Sequence, residues 1–554
     1  MKLVTISLVL LSLVSLSGIA SLAFRIPLPL LQVAFGIVLF TLFRIHIAIE
    51  PSLFLLLFIA PLLYVDAYQF PRAEFFRLRR SILVMSVGLV ILTVLGVGYF
   101  VHWMIPTVPL SVCFALAAVL SPTDAVAVTG SLRGEAIPAR LLYLLRGEAL
   151  FNDASGLVCF RLAIAATLTG SFSVAAASLT FLIVSVGGLA VGTLLSYIVM
   201  RFQIWMEKST RSHSTAQILL TLLLPFAAYA SAEYLKVSGV LAAVGAGFVG
   251  KWVLKDIRAI ETRLQGEAIM GMMQFSLEGL VFVLLGIQLP PIIQSIPSVI
   301  TQEGFRTAWV FAEFIFGVTA FLLLLRFVWT WSALQLTLYS GQRNVLTYKG
   351  TETTRAPART LMAMSLAGVR GAVTLAAVSS IPATLNKGTL FPARDLCIVI
   401  AAGVVLLSLL LASIALPPMM KGIEVLPESA IEIQERTAHI SANRAAIQRV
   451  DELQEQMAQG RNHQSDSIGA VVAVINSYQQ RLAGFESTGT ERAQLKALHS
   501  TEQMLRLEAV RAERTEINRL IREHRLEQSS ARRMLRRIDN TEAAIQSSLS
   551  DQRS

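Results

Sequence analysis

Between residues 3 and 420 the chain alternates long apolar runs with short polar interruptions. Apolar runs of about 17 residues or more, the length a helix needs to span a bilayer core, occur at 3–23, 27–44, 51–68, 82–105, 107–130, 147–169, 172–200, 215–234, 237–253, 269–287, 305–333, 359–382 and 394–419. This pattern predicts an all-α integral membrane protein with about 13 transmembrane helices. Lys and Arg collect in alternate gaps: Arg72, Arg77, Arg79 and Arg80; Arg133, Arg140 and Arg146; Arg201, Lys208 and Arg211; Lys251, Lys255, Arg258 and Arg263; Arg343, Lys349, Arg355 and Arg359. The intervening gaps hold only Arg44, Lys236, Arg306, Lys387 and Arg394. The positive-inside rule makes the first set cytoplasmic, with the N-terminus outside and, for an odd count, the C-terminus inside. The start Met1-Lys2 with its apolar run to Ala23 reads as a retained helix, because a second span follows at once.

After residue 420 the pattern changes. Residues 421–554 hold 19 basic and 19 acidic side chains, so the net charge of +11 belongs entirely to residues 1–420. The chain therefore divides into a transmembrane domain, 1–420, and a cytoplasmic helical tail, 421–554. The tail is not a nucleic-acid-binding arm. Its stretches 428–459 and 489–548 place apolar residues such as Leu495, Leu498, Leu505, Ile517, Leu520 and Ile521 at helical spacing. Two or three long helices are expected, punctuated near Gly460 and at Gly484 and Ser487-Thr488-Gly489, with a regulatory or self-associating role.

At 54% hydrophobic and 15% charged residues the chain lies outside soluble composition. Cys113, Cys159 and Cys397 all fall in predicted spans and imply neither a disulfide framework nor a metal site. There is no phosphate-binding Gly-Lys-Ser/Thr loop and no Gly-x-Gly-Asp pair, which argues against an ATP-driven pump and an intramembrane aspartyl protease. No cofactor is implied.

The candidate chemistry lies in polar residues within the spans. An aspartate there costs roughly 2.5–3.5 kcal/mol on insertion scales and is by default a functional residue. Asp66, Thr123-Asp124, Glu148, Asn152-Asp153, Arg161, Glu233, Glu278 and Arg370 form this set. Pro122, inside Ser121-Pro122-Thr123-Asp124-Ala125, predicts a break in the fifth span that frees backbone carbonyls and lets Thr123 and Asp124 face an ion. Glu148 and Asn152 are four apart and share a helical face, whereas Asp153 lies about 140° around from Glu148. Glu148 then needs a permanent counter-charge, for which Arg370 is the best candidate, and Asp153 is left to titrate. Arg161 reads as structural, Glu233 and Lys236 as neighbours placed to pair at the outer surface, and His46 and His102 as solvated interfacial residues.

Five motifs carry a resemblance: residues 120–128 (LSPTDAVAV), 147–156 (GEALFNDASG), 238–247 (SGVLAAVGAG), 279–288 (GLVFVLLGIQ) and 368–376 (GVRGAVTLA). In this order they resemble the sodium/proton exchangers of the monovalent cation:proton antiporter-1 family over most of residues 1–420. The resemblance implies two inverted repeats with broken helices crossing at the ion site, a dimerisation domain and a homodimer. It implies that Asp153 binds Na+ and the proton, with Thr123 as a second Na+ ligand, Asn152 completing the Asn-Asp pair and Asp124 at the helix crossing. Glu148 and Arg370 match a structural ion pair. Asn152, where electrogenic relatives carry a second aspartate, implies electroneutral one-for-one exchange. Three departures stand out: Ala149 replaces a frequent Ser, Glu278 a usual Asn, and Gln274 a frequent Glu. Asp66 and Glu278 are therefore possible accessory acids.

The expected activity is secondary antiport of cytoplasmic Na+ against external H+ in a bacterial plasma membrane, with one proton or one dehydrated Na+ at Asp153 but never both. K+/H+ exchange on the same scaffold, or K+ and Li+ as further substrates, is the nearest alternative. A cation channel gated by the tail, a sensor and an intramembrane hydrolase are the more distant ones.

Overall fold

Each of the thirteen apolar runs lies on a helix or on two half-helices, because a backbone in lipid has to satisfy its own hydrogen bonds. The computed structural model describes residues 2–24, 26–44, 50–131, 139–170, 174–209, 214–254, 260–303, 307, 309–339, 358–384, 390–420, 428–459, 471–479, 482–483, 489–523 and 528–551. His46, the loop residues Arg133, Arg211, Lys255, Arg258, Arg306, Arg343, Lys349, Arg355 and Lys387, and the expected tail punctuation at Gly460, Gly484, Ser487 and Thr488 lie outside them.

The first compact unit, Met1–Val425, contains α1 (Lys2–Phe24), α2 (Leu28–Phe43), α3 (Pro51–Gln69), α4 (Arg72–Met104), α5 (Leu110–Leu120), α6 (Ala125–Ser131), α7 (Ala139–Thr169), α8 (Val174–Ser209), α9 (Ser214–Tyr234), α10 (Gly239–Leu254), α11 (Ile260–Glu303), α12 (Trp309–Tyr339), α13 (Ala358–Leu366), α14 (Ala372–Ser379) and α15 (Arg394–Met420). Among the described residues, 9 helices (α1, α3, α4, α7, α8, α9, α11, α12 and α15) are long and apolar enough to cross a membrane. Helices α2, α5 and α10 are shorter apolar elements. Several begin earlier than their apolar runs. Helix α4 starts at Arg72, ahead of a run that starts at 82, so Arg72, Arg77, Arg79 and Arg80 ride on a helix and not in a loop. A hydropathy window sees only the lipid-facing part, whereas the backbone ladder continues until a proline or cap stops it.

Two crossings are broken. The chain leaves helical geometry at Ser121–Asp124 between α5 and α6, as Pro122 predicts, and again at 367–371 between α13 and α14. Each broken element follows one long helix and precedes another: α4, α5/α6, α7 and then α12, α13/α14, α15. These six crossings pack on one another. Helices α1, α2, α3, α8, α9, α10 and α11 form a second group, with α2 against α11, α3 against α10 and α8 against α10.

Small residues set that second group's spacing. A Cβ on Gly36 of α2 would stand 2.1 Å from the Val283 carbonyl oxygen, and one on Gly286 of α11 would stand 2.1 Å from that of Val33. The helices therefore touch backbone to backbone, as small residues permit in membranes. Gly286→Ala should force them apart and cost about 1–3 kcal/mol by overpacking. Thermal unfolding of the purified protein in detergent should show a lowered midpoint, and an unchanged midpoint would mean that the crossing adjusts freely.

The second unit, Leu426–Ser554, contains helices α16 (Glu428–Gln459), α17 (471–479), α18 (Gly489–Arg522) and α19 (Gln528–Asp551). Val510 and Ile517 of α18 and Ile538 and Ile545 of α19 form its small buried core. Ion pairs Arg511–Glu542 and Arg514–Asp539 run in opposite order along the two helices, so the pair is antiparallel. Ile517 is buried as its spacing predicts, but Leu498 and Leu505 are two-thirds exposed within this unit. A heptad stripe identifies an apolar face and does not say how much of it a partner covers.

Candidate functional site

The two breaks meet. The Asp124 backbone N–H donates to the Val369 carbonyl at 2.8 Å, tying the first break to the second. This approach needs a glycine, since a Cβ on Gly371 would lie 2.6 Å from Asp124 Oδ2. The other Asp124 oxygen, Oδ1, accepts the Ala127 N–H at 3.0 Å. Asp124 is thus fixed at the meeting of the two breaks.

The carbonyls freed by Pro122 are already occupied. Asn152 of α7 is fully buried, accepts from Ser121 Oγ at 3.2 Å, and donates through Nδ2 to the Ser121 carbonyl at 3.0 Å and to Thr123 Oγ1 at 3.4 Å. Arg370 donates through one guanidinium nitrogen to the carbonyls of Ser121 at 3.0 Å and Pro122 at 3.2 Å. An unpaired carbonyl at this depth costs free energy comparable to a lost hydrogen bond, so these two side chains hold the break open. Asn152 accordingly braces the broken helix beside Asp153.

The expected pairing of Glu148 with Arg370 is not what the structure shows. Glu148, at 0% exposure, faces Arg326 of α12 in a two-pronged ion pair, with Nη1–Oε1 at 2.5 Å and Nη2–Oε2 at 3.0 Å. The Nε of Arg326 donates to the Met364 carbonyl at 3.0 Å, and Thr123 Oγ1 reaches Glu148 Oε1 at 3.5 Å. Planar guanidinium and carboxylate groups satisfy each other in this geometry, which leaves Arg370 free for the break. Sequence reading missed Arg326, although a lone arginine inside the apolar run 305–333 is the same signal that singled out the acids. A second pairing also differs. The Glu233 carboxylate binds Arg161 at 3.0 Å and not Lys236, because Arg161 on α7 extends to the end of α9.

Asp153 is treated differently from all of these. It is 8% exposed, and no side chain or backbone group among the described residues donates to its carboxylate. It lines a cavity of about 140 Å³ together with Thr123, Asp124, Asp66, Glu278 and Arg146. This volume is well above the roughly 10–15 Å³ that admits one water, so a partly hydrated ion fits. Asp66 of α3, a possible accessory acid in the sequence, forms part of the wall and accepts from Gln274 Nε2 at 3.1 Å. The amide oxygen of Gln274 accepts from Gln69 at 3.0 Å. Among the lining side chains Arg146 is the single cation against four acids, so the cavity favours positive ions. It combines a hydroxyl and an uncommitted carboxylate with room for water, which suits a hard monovalent cation or a proton.

The family model described as sodium/hydrogen exchanger, transmembrane, matches residues 8–422. A sodium, potassium, lithium and rubidium/H+ antiporter of Bacillus pumilus strain SAFR-032 is 37% identical over 523 residues, covering 93% of this chain and 74% of that one. An uncharacterised Na+/H+ exchanger of Escherichia coli strain K12, YjcE, is 36% identical over 543 residues, covering 96% and 97%. The sodium proton antiporter MjNhaP1 of Methanocaldococcus jannaschii, solved at pH 8, superposes with a TM-score of 0.55 at 17% identity, covering 77% of this chain and all of that one. At that identity the likeness is one of fold.

Proposed function

Because the chain belongs to the sodium/hydrogen exchanger family, we propose that it is a secondary antiporter exchanging cytoplasmic Na+ for external H+, with both ions competing at Asp153. The family is one of secondary transporters and not of enzymes. The observation that carries the reading is the Asp153 carboxylate: buried, beside a brace of polar residues, and without a donor among the described residues. A buried charge without a partner costs several kcal/mol, so this group is occupied by a proton or a cation whenever the cavity closes. Exclusive occupancy couples the two fluxes without ATP. The neutral Asn152 leaves a single titrating charge on this turn of α7, which supports one-for-one, electroneutral exchange. Residues 1–420 carry transport and 421–554 a regulatory function, with the N-terminus outside, the C-terminus in the cytoplasm, and a homodimer as the working form in a bacterial inner membrane.

One observation favours a broader cation range. The Ser121 and Pro122 carbonyls are taken by Asn152 and Arg370, so these two do not form a rigid carbonyl ring around Asp153. A shell completed by water adapts to ions of different radius, so K+, Li+ and Rb+ should also exchange. Proteoliposomes with an internal pH dye, given Na+, Li+, K+ and Rb+ in turn, should respond to all four with apparent KM values within about tenfold, or about 1.4 kcal/mol, of one another. Because protons compete, each KM should rise as the pH is lowered. A response to one cation only would refute the loose shell. A valinomycin-clamped potential that leaves the rate unchanged would support electroneutrality.

A further inference from the structure

Glu278 belongs to α11, in the other helix group from Asp153, yet it lines the same cavity. It stands one turn after Gln274, whose amide nitrogen donates to Asp66 and whose amide oxygen accepts from Gln69. The acid on α3 thus has a fixed neutral partner. Glu278 has Gln274 beside it on the same helix, but among the described residues its Oε1 is buried with no hydrogen-bond partner, and no Lys or Arg lies within ion-pair distance of it. The charged groups facing it are Asp66 from α3, Asp124 from the first break, Asp153 and Arg146 from α7, with Gln274 on its own helix.

A buried carboxylate oxygen without a donor is costly unless water or a cation meets it. Asp153, more than nine-tenths buried and without a donor among the described residues, opens into the same space. The cavity therefore presents two carboxylates, each with an oxygen that no described group pairs, on two helix groups that have to move relative to each other if access alternates. The geometry points to Glu278 as a second carboxylate that binds the monovalent cation, holding it in the cavity before it loses water to Asp153. This assignment rests on the proposed exchange at Asp153 and adds to it an affinity-determining residue on the opposite wall. Glu278 handles the ion while it still shares water, so its charge acts on capture and not on the exchange step itself.

The test uses the full-length protein in proteoliposomes. Glu278→Gln should raise the apparent KM for Na+ about fivefold, about 1 kcal/mol at 1.4 kcal/mol per tenfold, while the maximal rate stays within about twofold. Glu278→Asp, which keeps the charge on a shorter stem, should recover most of the affinity and guards against a folding defect in the amide variant. Na+-dependent thermal stabilisation in detergent should move its midpoint concentration in the same direction, independently of flux. An unchanged KM in well-folded Glu278→Gln, or a lost maximal rate with KM intact, would overturn the assignment. So would an Asp variant no better than the amide. Exchange persisting in Asp153→Asn would refute the underlying reading instead.

Discussion

Asp153→Asn is expected to reduce cation/proton exchange to the level of protein-free vesicles. The amide has the same shape and fits the same wall, but it can neither release a proton nor balance a cation. The charge it removes offsets several kcal/mol of desolvation for the bound ion, which corresponds to a loss of more than about a hundredfold. Because no protein group among the described residues donates to the Asp153 carboxylate, the substitution breaks no internal hydrogen bond. Expression, size-exclusion profile and thermal midpoint should match those of the unaltered protein. Dequenching of a pH dye on addition of Na+ to everted vesicles bearing the variant would remove Asp153 from the centre of the mechanism. Asn152→Asp should behave differently. It places a second charge where Ser121 and Thr123 expect an amide, so it should disturb the break as well as the charge balance.

Removing either member of the Glu148–Arg326 pair is expected to cost about 3–5 kcal/mol, the usual penalty for leaving one buried charge without its partner. Glu148→Gln and Arg326→Met should each lower the thermal midpoint sharply and reduce the amount of folded protein in the membrane. The double variant should regain much of the loss, because two well-packed neutral side chains no longer carry a desolvation penalty. Arg370 should not couple to Glu148 in this way. Its guanidinium serves the Ser121 and Pro122 carbonyls, so Arg370→Met should impair transport by loosening the break. A double-variant cycle in which Glu148 couples to Arg370 and not to Arg326 would restore the pairing that the sequence suggests.

That reversal shows where sequence reading stops. Glu148 is visibly a charge that needs a partner, and two arginines in apolar surroundings are available. Which one reaches it depends on the path of α12 beside α7, a contact across 178 positions in the chain. The same applies to Glu233, whose near neighbour Lys236 loses to Arg161. Local spacing identifies charges that have to be matched, and only packing chooses their matches.

The elements themselves were legible. Lipid forces every crossing segment into a helix, so apolar length alone places the helices, and Pro122 alone places the first break. Asp153 was legible for the same reason, since an acid in an apolar span is too costly to be incidental. Asn152 was noticed as the neutral neighbour of Asp153, but its hold on Ser121 appears only when α7 lies against the break. Glu278 was marked as an acid where relatives usually carry Asn, but its relation to Asp153 exists only because α11 and α7 face one cavity. The sequence by itself determined the helices, the break and the acid proposed to bind the ion, because each is a local cost of placing polar groups in lipid. The tertiary structure alone decided which carbonyls are filled, which charges are paired and which carboxylates remain for the cation, because those are contests between groups that the chain brings together only on folding.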